Sequence, residues 1–571
     1  MSDAMDLLRS VRETTDETEF YTPLPDGYER GRVKYVAVFG TVISGLGKGI
    51  FSSSLAKLLK DKGLSVAPIK LEGYLNLDAG TLNPYRHGEV FVLDDGMETD
   101  MDLGTYERML DQDLTADNFA TSGQIYRSVL RKERAGDYLG RDVQMIPHVT
   151  GEVKLRLREL ALRTGADVVF VEVGGTVGDF ENAFYIEALR ELRYEEGPGS
   201  VAVVALTYVL SPPALGEQKS KAAQLGIKRL MELGVQPDLI GCRAEQPVTD
   251  KVRQKISVYT NVPMRRVFSM HDLSSIYLLP EQMRHAGLDS EMVQLLGLGG
   301  RVNSLADARA TADWQKFTAR ITGATKTATI GITGKYTTLR DSYASIVKAL
   351  EHAGAANDAR VRIKWIDTTD VDDSNVAETL SDVDGIIVPG GFGVRGTGGK
   401  IACIRHAREN RLPYLGICLG FQMAVVEYAR NVCGLGGADS TEINPDCEHP
   451  VIDVLPEQKE IEGLGGNMRL GGQDVTLAPN TQAAEMFGGA DAVRMRFRHR
   501  YEVDPQYVEQ LTAAGLVFSG RHPTQPIMQI LELPTDVHPF FVATQAHPCL
   551  TSRPLRPQPM FVRLVAAALQ H

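Results

Sequence analysis

An apolar stretch that runs into a cysteine flanked by glycines constrains the C-terminal half of this chain most. Residues 415–422 read Leu-Gly-Ile-Cys-Leu-Gly-Phe-Gln, so Cys418 lies between Gly416 and Gly420. A nucleophile in this pattern is typical of the sharp strand-to-helix turn of α/β enzymes. An inert core cysteine packed beside glycines is the alternative. The preceding strand favours the turn, and a thiol there predicts acyl transfer through a thioester.

Two further features match this interpretation. Residues 388–393 read Val-Pro-Gly-Gly-Phe-Gly after an apolar strand of their own, and their backbone N–H groups are candidates to hold an oxyanion. His547 lies downstream as the candidate base.

Apolar strands alternate with helical patterns along the whole chain. Strands are predicted at 35–39, 66–69, 168–173 and 201–206, with a helix at about 49–62, and a second series opens at 327–334 and continues through 385–388 and 414–417. This alternation predicts parallel α/β sheets in two catalytic domains. We predict a polar N-terminal extension at 1–33, a first domain at 34–300, a linker at 301–325 and a second domain at 326–571.

Composition narrows the function further. The chain has 571 residues and a formal net charge of −12, which disfavours nucleic acid and anionic membranes as partners. Its six cysteines show no CxxC spacing, so we expect neither a zinc ribbon nor a disulfide scaffold. With no predicted signal peptide or membrane span, we expect a cytoplasmic protein.

A glycine-rich segment follows the first strand. Residues 40–49 read Gly-Thr-Val-Ile-Ser-Gly-Leu-Gly-Lys-Gly and precede a predicted helix, which predicts a phosphate-binding loop with Lys48 as a charge. The segment departs from the standard P-loop at Val42, which replaces a glycine, and at Gly49, which replaces the hydroxyl that holds magnesium. We therefore expect Mg²⁺ to bind carboxylates elsewhere, with Asp102 and Glu172 as candidates.

Several ordered stretches together resemble the CTP synthase family from about residue 34 to the C-terminus. They are 44–49 (Ser-Gly-Leu-Gly-Lys-Gly), 87–92 (His-Gly-Glu-Val-Phe-Val), 98–104, 144–148, 171–179, 388–393, 414–420 and 498–503. The resemblance implies a P-loop-like amidoligase (synthetase) domain and a class I glutamine amidotransferase domain. In that family ATP phosphorylates O4 of UTP, and ammonia from glutamine, delivered through an internal tunnel, displaces the phosphate to give CTP. It also implies GTP as an allosteric activator, and homotetramers and filaments.

The resemblance also implies roles for individual residues. ATP would contact Ser44, Gly45, Leu46, Gly47, Lys48, Gly49, Ile50, Arg243 and Asp272, with Lys48 and Lys70 as catalytic charges and Asp102 and Glu172 on magnesium. UTP, or CTP as an inhibitor, would contact Ser44, Asp179, Glu181, Lys219, Lys221, Gln224 and Lys255. Glutamine would be attacked by Cys418 with His547 as base, and held by Gly391, Leu419, Gln422, Glu442 and Arg500. Taken singly, each of Lys70, Lys219, Lys221 and Lys255 is better explained as a solvated surface charge than as a phosphate ligand.

The chain departs from the family pattern in the glutaminase. The family has His-Pro-Glu where this chain has His547-Pro548-Cys549, so the carboxylate that orients the histidine is missing. Loss of that partner costs about four orders of magnitude in a serine triad, and a Cys–His pair suffers less. We expect a slowed or silent glutaminase, unless another acid or a water orients His547. Asp536 is the nearest upstream carboxylate.

The synthetase departs as well. Ala222-Ala223 replace a usual Pro-Thr, Glu72-Gly73 replace Asp-Pro, and Thr105 replaces His. Because a lost hydroxyl can change which nucleotide is accepted, two alternatives stay open beside CTP formation. One is a paralogue that aminates another pyrimidine or activated carbonyl, and the other is a non-catalytic nucleotide-binding assembly protein.

Overall fold

The computed structural model describes residues 21–83, 87–212, 216–337, 339–454 and 468–571. The chain divides into two compact units. The first takes in residues up to 78 together with 116–312, and the second takes in 79–115 together with 313–571. Segment 79–115, which we predicted within the synthetase domain, thus packs with the second unit. The predicted domain limits stay a prediction.

The first unit is built on a parallel sheet of seven strands. In chain order these are β1 (Lys34–Gly40), β2 (Val66–Glu72), β3 (Phe119–Thr121), β4 (Val168–Val173), β5 (Val201–Tyr208), β6 (Leu239–Ala244) and β7 (Val267–His271). Their order across the sheet is β3-β2-β4-β1-β5-β6-β7. Strand β4 is buried along its whole length, as its sequence, apolar except for Glu172, predicts for a sheet covered on both faces.

Helices pack around this sheet. They are Lys48–Asp61, Ser122–Ala135, Thr150–Thr164, Ala183–Glu196, Lys221–Glu232, Asp250–Thr260, Leu279–His285 and Leu288–Leu295. Tyr28, in the predicted N-terminal extension, is buried, and its hydroxyl bonds Glu196 at 2.9 Å. The part of the predicted extension that the structure describes therefore packs on the first unit. Residues 1–20 lie outside the described residues.

The second unit is built on a nine-stranded mixed sheet. Its strands are β8 (Lys326–Gly334), β9 (Ala359–Asp367), β10 (Gly385–Val388), β11 (Tyr414–Ile417), β14 (Arg469–Leu477), β15 (Ala492–His499), β17 (Val517–Arg521), β18 (Met528–Glu532) and β19 (Phe541–Thr544), and β12 (Ala438–Ser440), β13 (His449–Asp453) and β16 (Glu502–Val503) form a small sheet beside it. The order β9-β8-β10-β11-β19 is parallel, and β18, β17, β14 and β15 continue it with antiparallel pairing. Strands Phe91–Val92 and Glu98–Thr99 form a separate hairpin.

The helices of the second unit are Met101–Leu110, Ala344–Ala356, Val376–Thr379, Thr397–Glu409, Leu419–Asn431, Gln482–Met486, Pro505–Ala513 and Pro559–Ala568. A further helix, Ser304–Gly323, occupies most of the predicted linker. Among the helices described, none is long and apolar enough to cross a membrane. The predicted α/β fold class is confirmed in both units.

Candidate active site

Cys418 lies on the predicted sharp turn between strand β11 and helix Leu419–Asn431. Its φ of 53° falls in the left-handed region that L-residues rarely adopt. A Cβ on Gly420 would lie 2.0 Å from the Val388 carbonyl oxygen, and one on Gly416 would lie 2.3 Å from the Tyr414 hydroxyl. Only glycine therefore fits on either side, and the turn presents the thiol at the end of the sheet.

The predicted nucleophile and base meet at Gly390. A Cβ placed there would lie 3.2 Å from His547 Cε1 and 3.4 Å from Cys418 Cβ. A cavity of about 110 Å³ opens at this point, and its lining also includes Glu89, Phe392, Arg498 and Cys549. The second unit thus places a thiol and an imidazole side by side on the wall of a cavity.

Buried side chains hold the predicted oxyanion turn, residues 388–393. Lys400 Nζ is fully buried and donates to the Pro389 carbonyl at 2.7 Å, and Lys335 Nζ donates to the Gly393 carbonyl at 3.3 Å. The Glu442 carboxylate accepts the Gly393 N–H at 2.8 Å. Glu442, predicted to bind glutamine, here fixes the turn.

The two predicted oxyanion donors lie close together. A Cβ on Gly391 would lie 3.7 Å from Leu419 Cδ2. Burial raises the pKa of the Cys418 thiol, and a hydrogen bond from the Leu419 N–H offsets a small part of that rise. This arrangement can hold a developing oxyanion above the sulfur.

Two buried amides connect to the thiol. Gln422 Nε2 donates to the Tyr501 carbonyl at 3.0 Å and to Gln545 Oε1 at 3.2 Å, and Gln545 Nε2 in turn lies 3.6 Å from Cys418 Sγ. Gln422 is a predicted glutamine ligand, and Gln545 was missed. Arg500, another predicted ligand, follows strand β15.

Burial keeps both reacting groups neutral in the free site. It raises the pKa of the Cys418 thiol to about 12, and the Glu442 charge adds to this effect. It lowers the pKa of His547 to about 3, and the charges of Arg498 and His499 lower it further. Thiol and imidazole are therefore the resting forms near neutral pH.

Cys549 occupies the wall beside His547. It is buried, in the turn Pro548–Thr551, and burial together with the Glu89 charge raises its pKa well above the ordinary thiol value. A neutral thiol cannot replace a carboxylate. Asp536, the sequence candidate for a substitute, is not among the residues that line the cavity.

In the first unit the glycine-rich loop forms as predicted. Gly45 and Gly47 have φ values of 73° and 79°, and Lys48 begins the following helix with its Nζ donating to the Gly175 carbonyl at 2.8 Å. Val42 also has a φ of 73°, so a β-branched residue adopts the conformation that a P-loop glycine would take. Ser44 is exposed at the loop tip.

The rest of the predicted ATP loop is packed against the sheet. Leu46 and Gly49 are buried, and a Cβ on Gly47 would lie 3.1 Å from Met270 Cε and 3.6 Å from Ile50 Cδ1. The loop therefore lies beside the carboxyl end of β7, where parallel sheets bind ligands.

Two carboxylates flank Lys70 at the carboxyl ends of β2 and β4. Lys70 Nζ lies 3.1 Å from Glu72 Oε1 and 3.7 Å from Glu172 Oε1, and Glu172 is buried. Glu72 was not among the predicted metal ligands. Asp102 belongs to the second unit, in helix Met101–Leu110, where its N–H donates to Asp100. Among the described side chains, no group of three or more His, Cys, Asp or Glu is placed to hold a metal.

The two residues that were predicted to contact adenine form an ion pair with each other. Arg243, in β6, and Asp272, just after β7, form an ion pair at 2.5 Å. Both lie at the carboxyl edge of the parallel sheet, the edge that also holds the phosphate loop.

The predicted pyrimidine-nucleotide residues form smaller groups. Asp179 accepts the Thr176 N–H at 2.7 Å, and Glu181 lies close to Gly73. Lys219 pairs with Glu217, and this bond and the charges of Lys251 and Lys255 lower the Glu217 pKa. The structure thus gathers Lys219 and Lys255 around one carboxylate.

Helix Lys221–Glu232 carries the rest of this set. Lys221 is exposed at its first position, and Gln224 is buried and bonds Ser220 at 3.0 Å. A Cβ on Gly226 would lie 2.8 Å from Thr41 Oγ1, so the helix packs directly on the phosphate loop. Ala223, where the family has threonine, is fully buried in the hydrophobic core. The threonine hydroxyl that this chain lacks would therefore have lain in the hydrophobic core.

Comparisons with known proteins match both parts of the chain. Residues 34–298 match the family described as CTP synthase N-terminus, and residues 338–567 match glutamine amidotransferase class-I. CTP synthase of Thermococcus kodakarensis is 50% identical over 94% of this chain and 98% of its own length. CTP synthase of Clostridium perfringens is 47% identical over 94% of this chain and 99% of its own. The Trypanosoma brucei CTPS glutaminase domain with bound acivicin is 35% identical over 43% of this chain and 94% of its own, with a TM-score of 0.40.

The fold and the cysteine site define a two-part enzyme of the amidotransferase class: a parallel-sheet unit with a phosphate loop, and a class I glutamine amidotransferase. The chain belongs to the CTP synthase family, as the resemblance predicted.

Proposed function

We propose that this chain makes CTP. ATP phosphorylates O4 of UTP, and ammonia, free or released from glutamine, displaces the phosphate. The strongest support is the similarity to CTP synthases, which are 47% and 50% identical to this chain over 94% of its length. Relatives with this name disfavour both alternatives, a paralogue with another substrate and a non-catalytic assembly protein.

In the glutaminase, the Cys418 thiol gives its proton to His547 as sulfur attacks the side-chain carbonyl of glutamine. A carbon–sulfur bond forms, the N–H groups of Gly391 and Leu419 hold the oxyanion, and ammonia leaves with the proton returned by His547. Water then cleaves the thioester to glutamate. Gln422 and Arg500 bind the substrate.

In the synthetase, the loop N–H groups and Lys48 hold the ATP phosphates, and Lys70 neutralises charge on the transferred group. Arg243 and Asp272 contact the adenine. Asp179, Glu181, Lys219, Lys221, Gln224 and Lys255 contact UTP or CTP. Phosphorylation converts O4 from a poor leaving group into a good one.

Two carboxylates of the first unit are chemically suited to a magnesium ion. Glu172 and Glu72 face one ammonium beside the predicted phosphate site, and hard divalent cations prefer such oxygens. Within the first unit we propose Glu172 as a ligand, with Glu72 as an added candidate. Asp102, which lies in the second unit, stays a ligand on the family resemblance alone. The ion would neutralise phosphate charge when bound.

Regulation and assembly follow from the family resemblance. We propose GTP as an activator, a homotetramer that extends into filaments, and a cytoplasmic location. The missing acid at position 549 supports a slow glutaminase.

The test measures CTP formed from UTP, ATP and magnesium, with glutamine or with ammonium chloride. We expect CTP from ammonium with the wild-type chain and with Cys418→Ala, and no glutamine use by Cys418→Ala. Cys403→Ala is the matched control, because Cys403 is buried in the same unit outside the cavity. Absence of CTP with ammonium would refute the proposal.

A further inference from the structure

A buried side-chain amide, that of Gln545, lies against the nucleophile. Gln545 directly follows strand β19, two residues before His547, and its side chain is fully buried. Its Nε2 atom donates to Cys418 Sγ at 3.6 Å. Its backbone N–H donates to the carbonyl of Gln529, in the neighbouring strand β18, at 2.9 Å. The sheet therefore holds this amide beside the sulfur.

The orientation of the amide follows from its neighbours. Gln422 Nε2 donates to the Tyr501 carbonyl at 3.0 Å, and a carbonyl oxygen can only accept a hydrogen bond. The same nitrogen lies 3.2 Å from the Gln545 side chain, which must therefore present its oxygen to Gln422. The nitrogen of Gln545 is then the atom that faces the sulfur. An N–H group, and not an oxygen, points at Cys418.

The sulfur has different partners as a thiol and as a thiolate. As a thiol, Cys418 Sγ donates to the Arg498 carbonyl at 3.7 Å, and this bond is lost with the proton. The bond from Gln545 remains, because there the sulfur accepts. Hydrogen bonds to an ionised acceptor are about twice as strong as bonds between neutral groups. The Gln545 amide therefore binds the thiolate more strongly than the thiol.

The charge separation in this site depends on such a donor. Burial raises the pKa of the Cys418 thiol to about 12, and the Glu442 charge adds to this effect, whereas the charges of Arg498 and Lys400 oppose it. When the thiol gives its proton to the imidazole, the family acid would stabilise the positive end of the ion pair. This chain has Cys549 in place of that acid. A donor at the negative end is thus a second way to stabilise the same ion pair.

We propose that Gln545 is a catalytic residue of the glutaminase and stabilises negative charge on the Cys418 sulfur. It acts twice in each turnover. In the first half, the thiol proton passes to His547, and an electron pair of the sulfur forms the bond to the glutamine carbonyl carbon. In the second half, water gives a proton to His547 and attacks the thioester carbon. The carbon–sulfur bond then breaks, its electron pair returns to sulfur, and the thiolate takes the proton back from His547.

This inference rests on the proposed glutaminase and adds a donor to the sulfur beside the two donors to the oxyanion. Gln545 also accepts a hydrogen bond from Gln422, the predicted glutamine ligand. Loss of the Gln545 amide therefore affects both the sulfur and the substrate site, and the test separates the two effects.

The test uses Gln545→Met, which replaces the amide with an apolar side chain of similar length. Release of glutamate from glutamine gives kcat and KM, and we expect kcat to fall about 10- to 100-fold. Iodoacetamide alkylation without glutamine, followed on the Cys418 peptide by mass spectrometry, reports the thiolate fraction at about pH 8.5. We expect alkylation to slow about fivefold, because the thiol pKa rises by about one unit and the more basic thiolate is somewhat more nucleophilic.

Gln422→Met separates substrate binding from charge on the sulfur. The Gln422 side chain bonds Tyr501 and Gln545. We expect this variant to raise KM for glutamine and to keep the alkylation rate within about twofold of wild type. Slower alkylation in the absence of glutamine is thus an effect that a misplaced substrate cannot produce.

Gln529→Met is the matched control. Gln529 is fully buried in the adjoining strand, and neither polar atom of its side chain has a hydrogen-bond partner among the described residues. It is also not among the residues that line the cavity. Both variants replace a buried amide with the same thioether, and we expect Gln529→Met to keep wild-type kcat and alkylation, because no hydrogen bond is lost.

Gln545→Glu is a second variant of nearly the same shape, and it keeps an oxygen for Gln422. Once ionised, its carboxylate repels a thiolate, and we expect alkylation at about pH 8.5 to be slower than in Gln545→Met. Alkylation as fast as wild type in both Gln545 variants would overturn the inference, even beside a lower kcat, because Gln545 would then only support Gln422.

Two other results also overturn it: a kcat for Gln545→Met equal to that of Gln529→Met, or a wild-type glutaminase no faster than Cys418→Ala. CTP formation from ammonium is measured on the same samples. Its failure in the wild-type chain would refute the proposed function, and its presence beside any of these results would refute the role of Gln545 alone.

Discussion

Lys400→Met should make the protein more stable near neutral pH and less active with glutamine. Lys400 is fully buried beneath the oxyanion turn, and its pKa is lowered from 10.5 to about 7, first by burial and then by the charge of Lys335. The groups that face it also include Cys418 and Cys403, both of which favour its charged form. Its hydrogen bond to the Pro389 carbonyl is the contact that the substitution removes.

The sign and size of this change in stability follow from proton linkage. Because the folded-state pKa lies below the unfolded value, the unfolded chain binds more protons between pH 7 and 10.5, and the unfolding free energy rises with pH across that range. At about 1.4 kcal/mol per pH unit, the cost of the buried charge below pH 7 is bounded at about 5 kcal/mol. The lost hydrogen bond offsets about 1 kcal/mol of this.

Urea unfolding of both proteins, followed by a signal from the second unit, measures the difference. We expect Lys400→Met to be more stable at pH 6.5, by up to about 4 kcal/mol, and the gap to narrow by about 2 kcal/mol between pH 7 and 9. Glutaminase kcat should fall about 10-fold, because the Pro389 carbonyl loses its donor. A less stable variant at pH 6.5, or a gap that does not change with pH, would refute this reasoning.

Three further predictions concern single positions. Gly420→Ala would place a Cβ 2.0 Å from the Val388 carbonyl oxygen, so it should lower the free energy of unfolding by about 4 kcal/mol or more and abolish glutamine hydrolysis. Its control is Gly398→Ala, in open space on a helix, which should be neutral or stabilising in the same thermal melts. Lys48→Met should lower ammonium-dependent CTP formation about 100-fold and leave glutamate release unchanged, and equal loss of both would contradict the role of the loop. Val42→Gly should raise the stability by about 1 kcal/mol by relieving a left-handed valine, and a lower melting temperature would contradict that.

Local pattern was sufficient to predict the fold and the two loops. The alternation of strands and helices predicted both sheets, since a run such as 168–173 has no polar face to expose. The spacing of Gly416, Cys418 and Gly420 predicted the elbow, because the turn leaves no space for a side chain at either glycine. Each of these predictions depends on residues close together in sequence.

The residues that were missed depend on contacts between distant segments. Gln545 lies 3.6 Å from the Cys418 thiol, and Lys400 reaches the oxyanion turn from a following helix. Glu72 was recognised as a departure from the family, and its place beside Lys70 and Glu172 required the register of two parallel strands. A buried lysine or glutamine has no sequence signal that separates it from an exposed one, whereas a glycine pair around a nucleophile does.

The neutral resting state of the thiol and imidazole also bears on what the missing acid does. Burial opposes both the thiolate and the imidazolium, so neither ion is stable until glutamine is bound and its carbonyl can take the negative charge. As sulfur attacks, negative charge develops on the carbonyl oxygen of glutamine, and the N–H groups of Gly391 and Leu419 stabilise it without any acid. The positive charge stays on His547, whose neighbours Arg498 and His499 both disfavour it. An acid partner therefore has one function in this site, to stabilise the imidazolium, and a carboxylate can do this from any part of the chain that reaches His547.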